Sequence, residues 1–324
     1  MRNIIGLALV CLALTACNND KNKTGKTEAP GELRRYEISL FSIDTNNFKE
    51  GLRKIYPSYK VFLGETFPSD EGVTQLLNFV TDPYIRSTYN YTLKKYPDLE
   101  FLEAGLDKGF MNFTKEMPGK RIPQVYTYIS GFDIRMPIKY TDSALIIGLD
   151  LYLGSDYAEY RELGFPLYIA ERLSKEYMLA DCFREIGWAY MPEMETNTLL
   201  DAMIEQGKLL YFAQKMLPGE KEEYLIKYSP EELEWVKNNE KNLWSFLIEN
   251  QLLYSNDAKA MTTFMTDGPF TSGFSEESPS RTGHWLGWQI VKNYMQKNDL
   301  SMEALLAEKD SQKILQESGY KPAR

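Results

Sequence analysis

A chain of 324 residues, 43% hydrophobic and 26% charged, carries enough apolar material for a substantial core and excludes both a disordered tract and a multi-span membrane protein. Lys and Arg number 37 against 46 Asp and Glu, a net charge of −9, which excludes a nucleic-acid partner held through its phosphates. Three cysteines cannot staple a chain of this length, and the single histidine, His284, means that most imidazole chemistries must use that residue or do without one.

The first residues read MRNIIGLALVCLALTAC, with Arg2 ahead of an apolar run from Ile4 to Leu14. A spanning helix takes about 20 apolar residues, so this shorter run reads as a signal peptide over 1–16 instead. Leu14-Thr15-Ala16-Cys17 is similar to a bacterial lipobox, which implies lipidation of Cys17 and anchoring to a membrane by two or three acyl chains. Residues 17–32 are polar and form the tether. Asn18 and Asn19 stand where an acidic residue signals inner-membrane retention in lipoproteins, so the expected address is the outer membrane, facing the periplasm.

Within 33–324, LRRYEISLFSI at 33–43 has the β-branched and aromatic character of a strand, and SYKVFLGE at 58–65 carries a weaker version. Ser69-Asp70-Glu71 predicts the cap of a helix through Val73, Leu76, Leu77 and Val80; Pro83 opens a second through Tyr96, and Leu102, Leu106, Phe110 and Phe113 mark a third. Strands are expected over Pro123–Ser130, Arg135–Tyr140 and Ala144–Asp150, the last apolar enough to be central in a sheet. Helices then follow at 165–174, 177–190, 198–217, 230–253, 281–297 and 301–317, with Ser229-Pro230-Glu231-Glu232 supplying cap, proline and capping-box acid. Strands early and helices late predict an α+β fold, one unit over 33–324 with possible lobes 33–154 and 155–324.

The order of IIGLDLYLG (146–154), FPLYIAERLSKEYMLADCF, LLDAMIEQGKLLYF (199–212), a Ser-Pro-Glu-Glu-Leu helix and PSRTGHWLGWQIVKNYM (279–295) resembles the gliding-motility lipoprotein family GldB of Bacteroidetes. More distantly it resembles a family of predicted HExxH zinc peptidases, in which a glutamate of an LLDAxxxEG-like helix is the third metal ligand. That resemblance implies a zincin-like core, with an edge strand over an active-site helix. It also implies partners in the envelope motility or secretion machinery. HExxH works because residues i and i+4 share a helix face and hold one zinc while the intervening glutamate acts as base. Here Arg184 and Trp188 take the two histidine positions, and Glu185 and Glu205 are the base-like and ligand-like acids that remain. A guanidinium stays protonated and an indole cannot ligate, so no metal, no cofactor and no peptidase activity are expected. Arg184 is expected to pair with Glu205 in place of a zinc bridge.

Other residues carry less. His284 and Cys182 are expected to be packed helix residues, and Gly283 with Gly287 to let two helices approach closely. Asp181/Glu185 and Asp201/Glu205 are i, i+4 acid pairs that a glycosidase could use, though such pairs are common on solvated faces. Alternatives to a non-catalytic scaffold are an atypical hydrolase using Glu185 and a lipoprotein that binds a glycan or small ligand through exposed aromatics.

Overall fold

The structure is a computed structural model that describes residues 32–193 and 195–322; the signal peptide, Cys17 and the tether up to residue 31 lie outside the described residues. Four strands form one mixed sheet: β1 (Leu33–Arg35), β2 (Gln124–Tyr128), β3 (Ile138–Thr141) and β4 (Ala144–Gly148), in the order β1-β2-β4-β3. β1, β2 and β4 run parallel, and β3 lies antiparallel at the edge with Ile138 opposite Ile147. β4 is buried at all of its positions, as its uninterrupted apolar run anticipates for an interior strand covered on both faces.

Alternation along the strands feeds two cores. Tyr126, Ala144 and Ile146 face a smaller core closed by α1 (Tyr36–Phe41), α2 (Phe48–Ile55), α3 (Lys60–Leu63), α4 (Asp70–Thr81) and α5 (Pro83–Lys95). Val125, Leu145 and Ile147 face a larger core that draws on residues from Tyr96 to Tyr320. The cap expected at Ser69 forms, and Asp82 supplies a second that was not anticipated. Ser69 Oγ accepts the Gly72 N–H at 3.2 Å, and Asp82 accepts from Tyr84 and Ile85 ahead of α5.

Two strand expectations fail. Only Leu33–Arg35 of the 33–43 run is a strand; Tyr36 onward turns into α1, which lays Tyr36, Leu40 and Phe41 on the sheet at helical spacing. The 58–65 stretch is likewise the short helix α3, set after a 3-10 turn at Tyr56–Ser58. In both segments a short apolar window suited either period, and packing against the sheet decided it.

The larger core is closed by α6 (Glu100–Glu116), α7 (Ala158–Glu162), α8 (Leu167–Ala170), α9 (Lys175–Ala189), α10 (Leu199–Met216), α11 (Glu222–Ile226), α12 (Pro230–Glu249), α13 (Ala258–Met265), α14 (Thr282–Lys297), α15 (Met302–Ala307) and α16 (Ser311–Ser318). The 165–174 segment is reduced to the single turn of α8, and 301–317 is divided into α15 and α16, with Asp310 capping the latter. α7, α11 and α13 were not anticipated. Ser229 and Glu232 form the expected reciprocal capping box at the start of α12.

The tightest seam joins α10 to α14. A Cβ on Gly287 would come within 1.8 Å of the Met203 carbonyl oxygen, and one on Gly207 within 2.3 Å of the Gly287 carbonyl oxygen. The close approach expected of the glycines in PSRTGHWLGW is therefore made, backbone on backbone. Among the described residues no helix is long and apolar enough to cross a membrane.

Candidate functional site

Asp181, Arg184, Glu185 and Trp188 recur at three- and four-residue spacing on α9 and so share one face. Opposite them run Arg135, Met136, Pro137 and Ile138, the lead-in to edge strand β3, while α10 contributes Gln206 and Leu209 and the turn after α11 contributes Lys227. Together they line a cavity of about 410 Å³. The lining is shared between apolar side chains and ionic or polar ones, which suits a small ligand or the end of a chain that carries both.

Buried anchors hold both rims. Asp150, fully buried, accepts from Ser130 N–H at 2.8 Å, Ser130 Oγ at 2.9 Å and Phe132 N–H at 2.8 Å. This fixes Phe132 in a left-handed conformation (φ 65°) just ahead of Arg135. Lys227 is also left-handed (φ 61°), and its carbonyl accepts from Arg281 Nη2 at 3.0 Å. Arg281 is braced in turn by Asp267, whose carboxylate lies 3.0 Å from its Nε.

The floor is ionic. Lys227 Nζ donates to Asp181 Oδ2 at 2.6 Å, and Tyr152 OH donates to the same oxygen at 2.8 Å. Burial pulls the Lys227 ammonium pKa down while the Asp181 carboxylate opposes that pull. Arg184 is different: its Nη2 donates to the neutral Gln206 Oε1 at 2.9 Å, and among the described residues it makes no ion pair. Burial pushes the Glu185 carboxyl up, helped by the negative charge of Asp181 and opposed by Arg184. Trp188, 49% exposed, forms one wall beside Met136, 48% exposed.

A family model described as gliding motility protein GldB matches residues 17–322. The chain belongs to the GldB family. That makes it a gliding-motility-associated lipoprotein of the cell envelope. No curated protein and no solved structure matches the chain.

In this GldB-family chain the residues singled out in the sequence do not all meet. Arg184, Glu185 and Trp188 line one cavity, but the expected Arg184–Glu205 pair is not formed. Glu205 turns away and its Oε2 accepts from Thr196 Oγ1 at 3.1 Å, with burial pushing its carboxyl up. Consecutive helix residues point about 100° apart, so the residue that α10 presents to Arg184 is Gln206. Keeping Gly207 in register with the glycine of LLDAxxxEG gives the same result, since the motif's glutamate then falls on Gln206 and Glu205 is one of the intervening residues. Of the ligand positions that the HExxH resemblance implies, three and not two carry other residues, Arg184, Trp188 and Gln206.

A zinc ion does not suit this donor set of guanidinium, indole and amide. Among the described residues no group of three or more His, Cys, Asp or Glu side chains is arranged to hold a metal.

The remaining residues have structural partners. Asp201 closes a capping box with Thr198, so it caps α10. His284 is buried, with Nε2 3.0 Å from the Met265 carbonyl oxygen and its pKa held well below the usual range by burial and by Arg281, Arg184 and Arg172. Cys182 is fully buried, and burial pushes its thiol up, away from reactive thiolate. Trp285 and Trp288 are buried, leaving Trp188 as the exposed tryptophan at the cavity. Sequence reasoning missed Gln206, Tyr152 and Lys227. The LLDAxxxEG register held the signal for Gln206. Nothing local pointed to Lys227, which reaches the site from a turn after a five-residue helix.

Proposed function

We propose that this chain is a non-catalytic envelope scaffold, a zincin-like domain that has lost its metal and keeps the former substrate groove as a recognition site. The observation that carries this reading is the gathering of Arg184, Trp188 and Gln206 on one cavity, beside the base-like Glu185. The edge strand β3 lies alongside α9, and an edge strand over the helix is what the HExxH resemblance implies. The domain is anchored to the outer membrane, facing the periplasm, through acyl chains on Cys17, at which the family match begins. Its partners are envelope proteins of the motility or secretion machinery.

The experiment is elemental analysis and a casein-peptide hydrolysis assay on the full chain, purified without chelator or affinity histidines. Substoichiometric metal and hydrolysis no faster than in a Glu185→Gln variant are expected. The raised Glu185 pKa favours one second reading, a hydrolase using that carboxyl as acid or base. Hydrolysis abolished by Glu185→Gln would establish that reading and overturn the scaffold.

A further inference from the structure

Among the described residues Arg184 makes no ion pair. It is largely buried on the cavity wall, and one of its five N–H groups is occupied, by a neutral amide. A sunken guanidinium normally finds a carboxylate, because desolvation without pairing is costly. Asp181, one turn back on the same helix, is already engaged by Lys227 and Tyr152 through one oxygen, and the adjacent Glu185 forms no ion pair with Arg184 among the described residues. Met136 and Trp188 are exposed at the opening, Ile138 and Leu209 line it from buried positions, and Arg184 and Lys227 stand among the polar lining residues.

We propose that the cavity between β3 and α9 binds a carboxylate carried on an apolar chain, received bidentately by the Arg184 fork with Lys227 beside it. The inference deepens the scaffold reading and rests on it only in taking this groove as the recognition site.

Charge selects among anions. Arg135, Arg184 and Lys227 against Asp181 and Glu185 leave one positive charge among the lining side chains, which one further negative charge balances. A phosphate dianion would set a second negative charge beside Asp181 and Glu185. Planar carboxylate geometry also matches the guanidinium fork, and the apolar walls accept the group that carries it. Two sources share this chemistry, the C-terminal end of a polypeptide and a short acyl chain, and the arms of the test separate them.

The test is calorimetric titration of the full chain in detergent with N-acetyl-Ala-Leu-Leu as free acid, with its C-terminal amide, with hexanoate and with inorganic phosphate. The free acid is expected to bind about 10- to 100-fold more tightly than the amide, the range of a charge-assisted hydrogen-bond pair. Arg184→Gln should remove that preference, and Arg184→Lys should restore it only in part. Trp188→Ala, at an exposed position, should weaken acid and amide alike, which keeps the test decisive if Arg184→Gln fails to fold.

Binding of the peptide acid assigns the site to a chain end, and binding of hexanoate alone assigns it to an acyl chain; either supports the carboxylate site. Equal binding of acid and amide, binding of neither carboxylate, or tighter binding of phosphate overturns it. None of these outcomes bears on metal content, so the loss-of-metal reading stands or falls separately.

Discussion

Gly287→Ala tests the seam that sets α10, and with it Gln206 and Leu209, against the rest of the cavity. The added methyl would lie 1.8 Å from the Met203 carbonyl oxygen and 2.5 Å from its carbon, where ordinary contact begins near 3.4 Å. The obstacle is backbone inside a helix, so no side-chain rotation relieves it, and α10 and α14 must move apart by roughly 1.6 Å. A gap of only about 0.5–1 Å already forfeits a quarter to a half of each van der Waals contact along the seam. Alanine returns about 1 kcal/mol of helix propensity over glycine, which offsets part of the loss. The net expectation is destabilisation by about 3 kcal/mol, the upper end of overpacking costs. For a chain of this size that is a fall in Tm of about 6 °C, read by circular dichroism on the full chain. Gly268→Ala is the control, because its nearest obstacle lies 3.8 Å away, and it should change stability by less than about 0.5 kcal/mol. If Gly287→Ala melts together with this control, the backbone contact between α10 and α14 is not as close as described and the reasoning fails.

Three further outcomes are expected. Asp150→Ala strands the Ser130 and Phe132 N–H groups and should cost about 3 kcal/mol by urea denaturation, with raised proteolytic nicking around Phe132; unchanged stability would show that the loop does not depend on this anchor. His284 is buried neutral, with its pKa depressed below the ordinary 6.5, so the unfolded chain takes up a proton that the folded chain does not once the pH falls below that value. Folding free energy should therefore decline on acidification by up to about 1.4 kcal/mol per pH unit from this residue. Urea midpoints from pH 7 to 5 should lose that component in His284→Gln, and identical pH profiles would refute it. Lys227→Met should destabilise by about 3 kcal/mol by leaving Asp181 without its cation, whereas Asp181→Asn/Lys227→Met should cost less than the two single changes together; strict additivity would mean the pair is not coupled.

What could be read in the sequence followed from local chemistry. Ser69 and the Ser229–Glu232 box mark helix starts because a cap needs only a side chain and its neighbouring N–H groups. ALIIG reads as interior strand because an apolar run without alternation must be covered on both faces. Tyr36–Phe41 reads as strand because so short an apolar and aromatic window fits either period, and the sheet it covers makes the choice. The site divides in the same way. Arg184, Glu185 and Trp188 lie on one helix and could be grouped by spacing. Which of Glu205 and Gln206 meets them depends on the rotation of α10, fixed at a distance by the glycine seam with α14. Lys227 depends on a left-handed turn held by Arg281, and neither is visible in its local sequence.

The most direct measurement of the central claim is zinc uptake by the Arg184→His/Trp188→His/Gln206→Glu variant of the full chain, followed by elemental analysis and by the rise in Tm on adding zinc. If the cavity retains the geometry of a metal-binding ancestor, the variant takes up about one zinc per chain and is stabilised by it, while the unaltered chain does neither. A folded variant that stays empty, or stoichiometric zinc in the unaltered chain, would contradict the account.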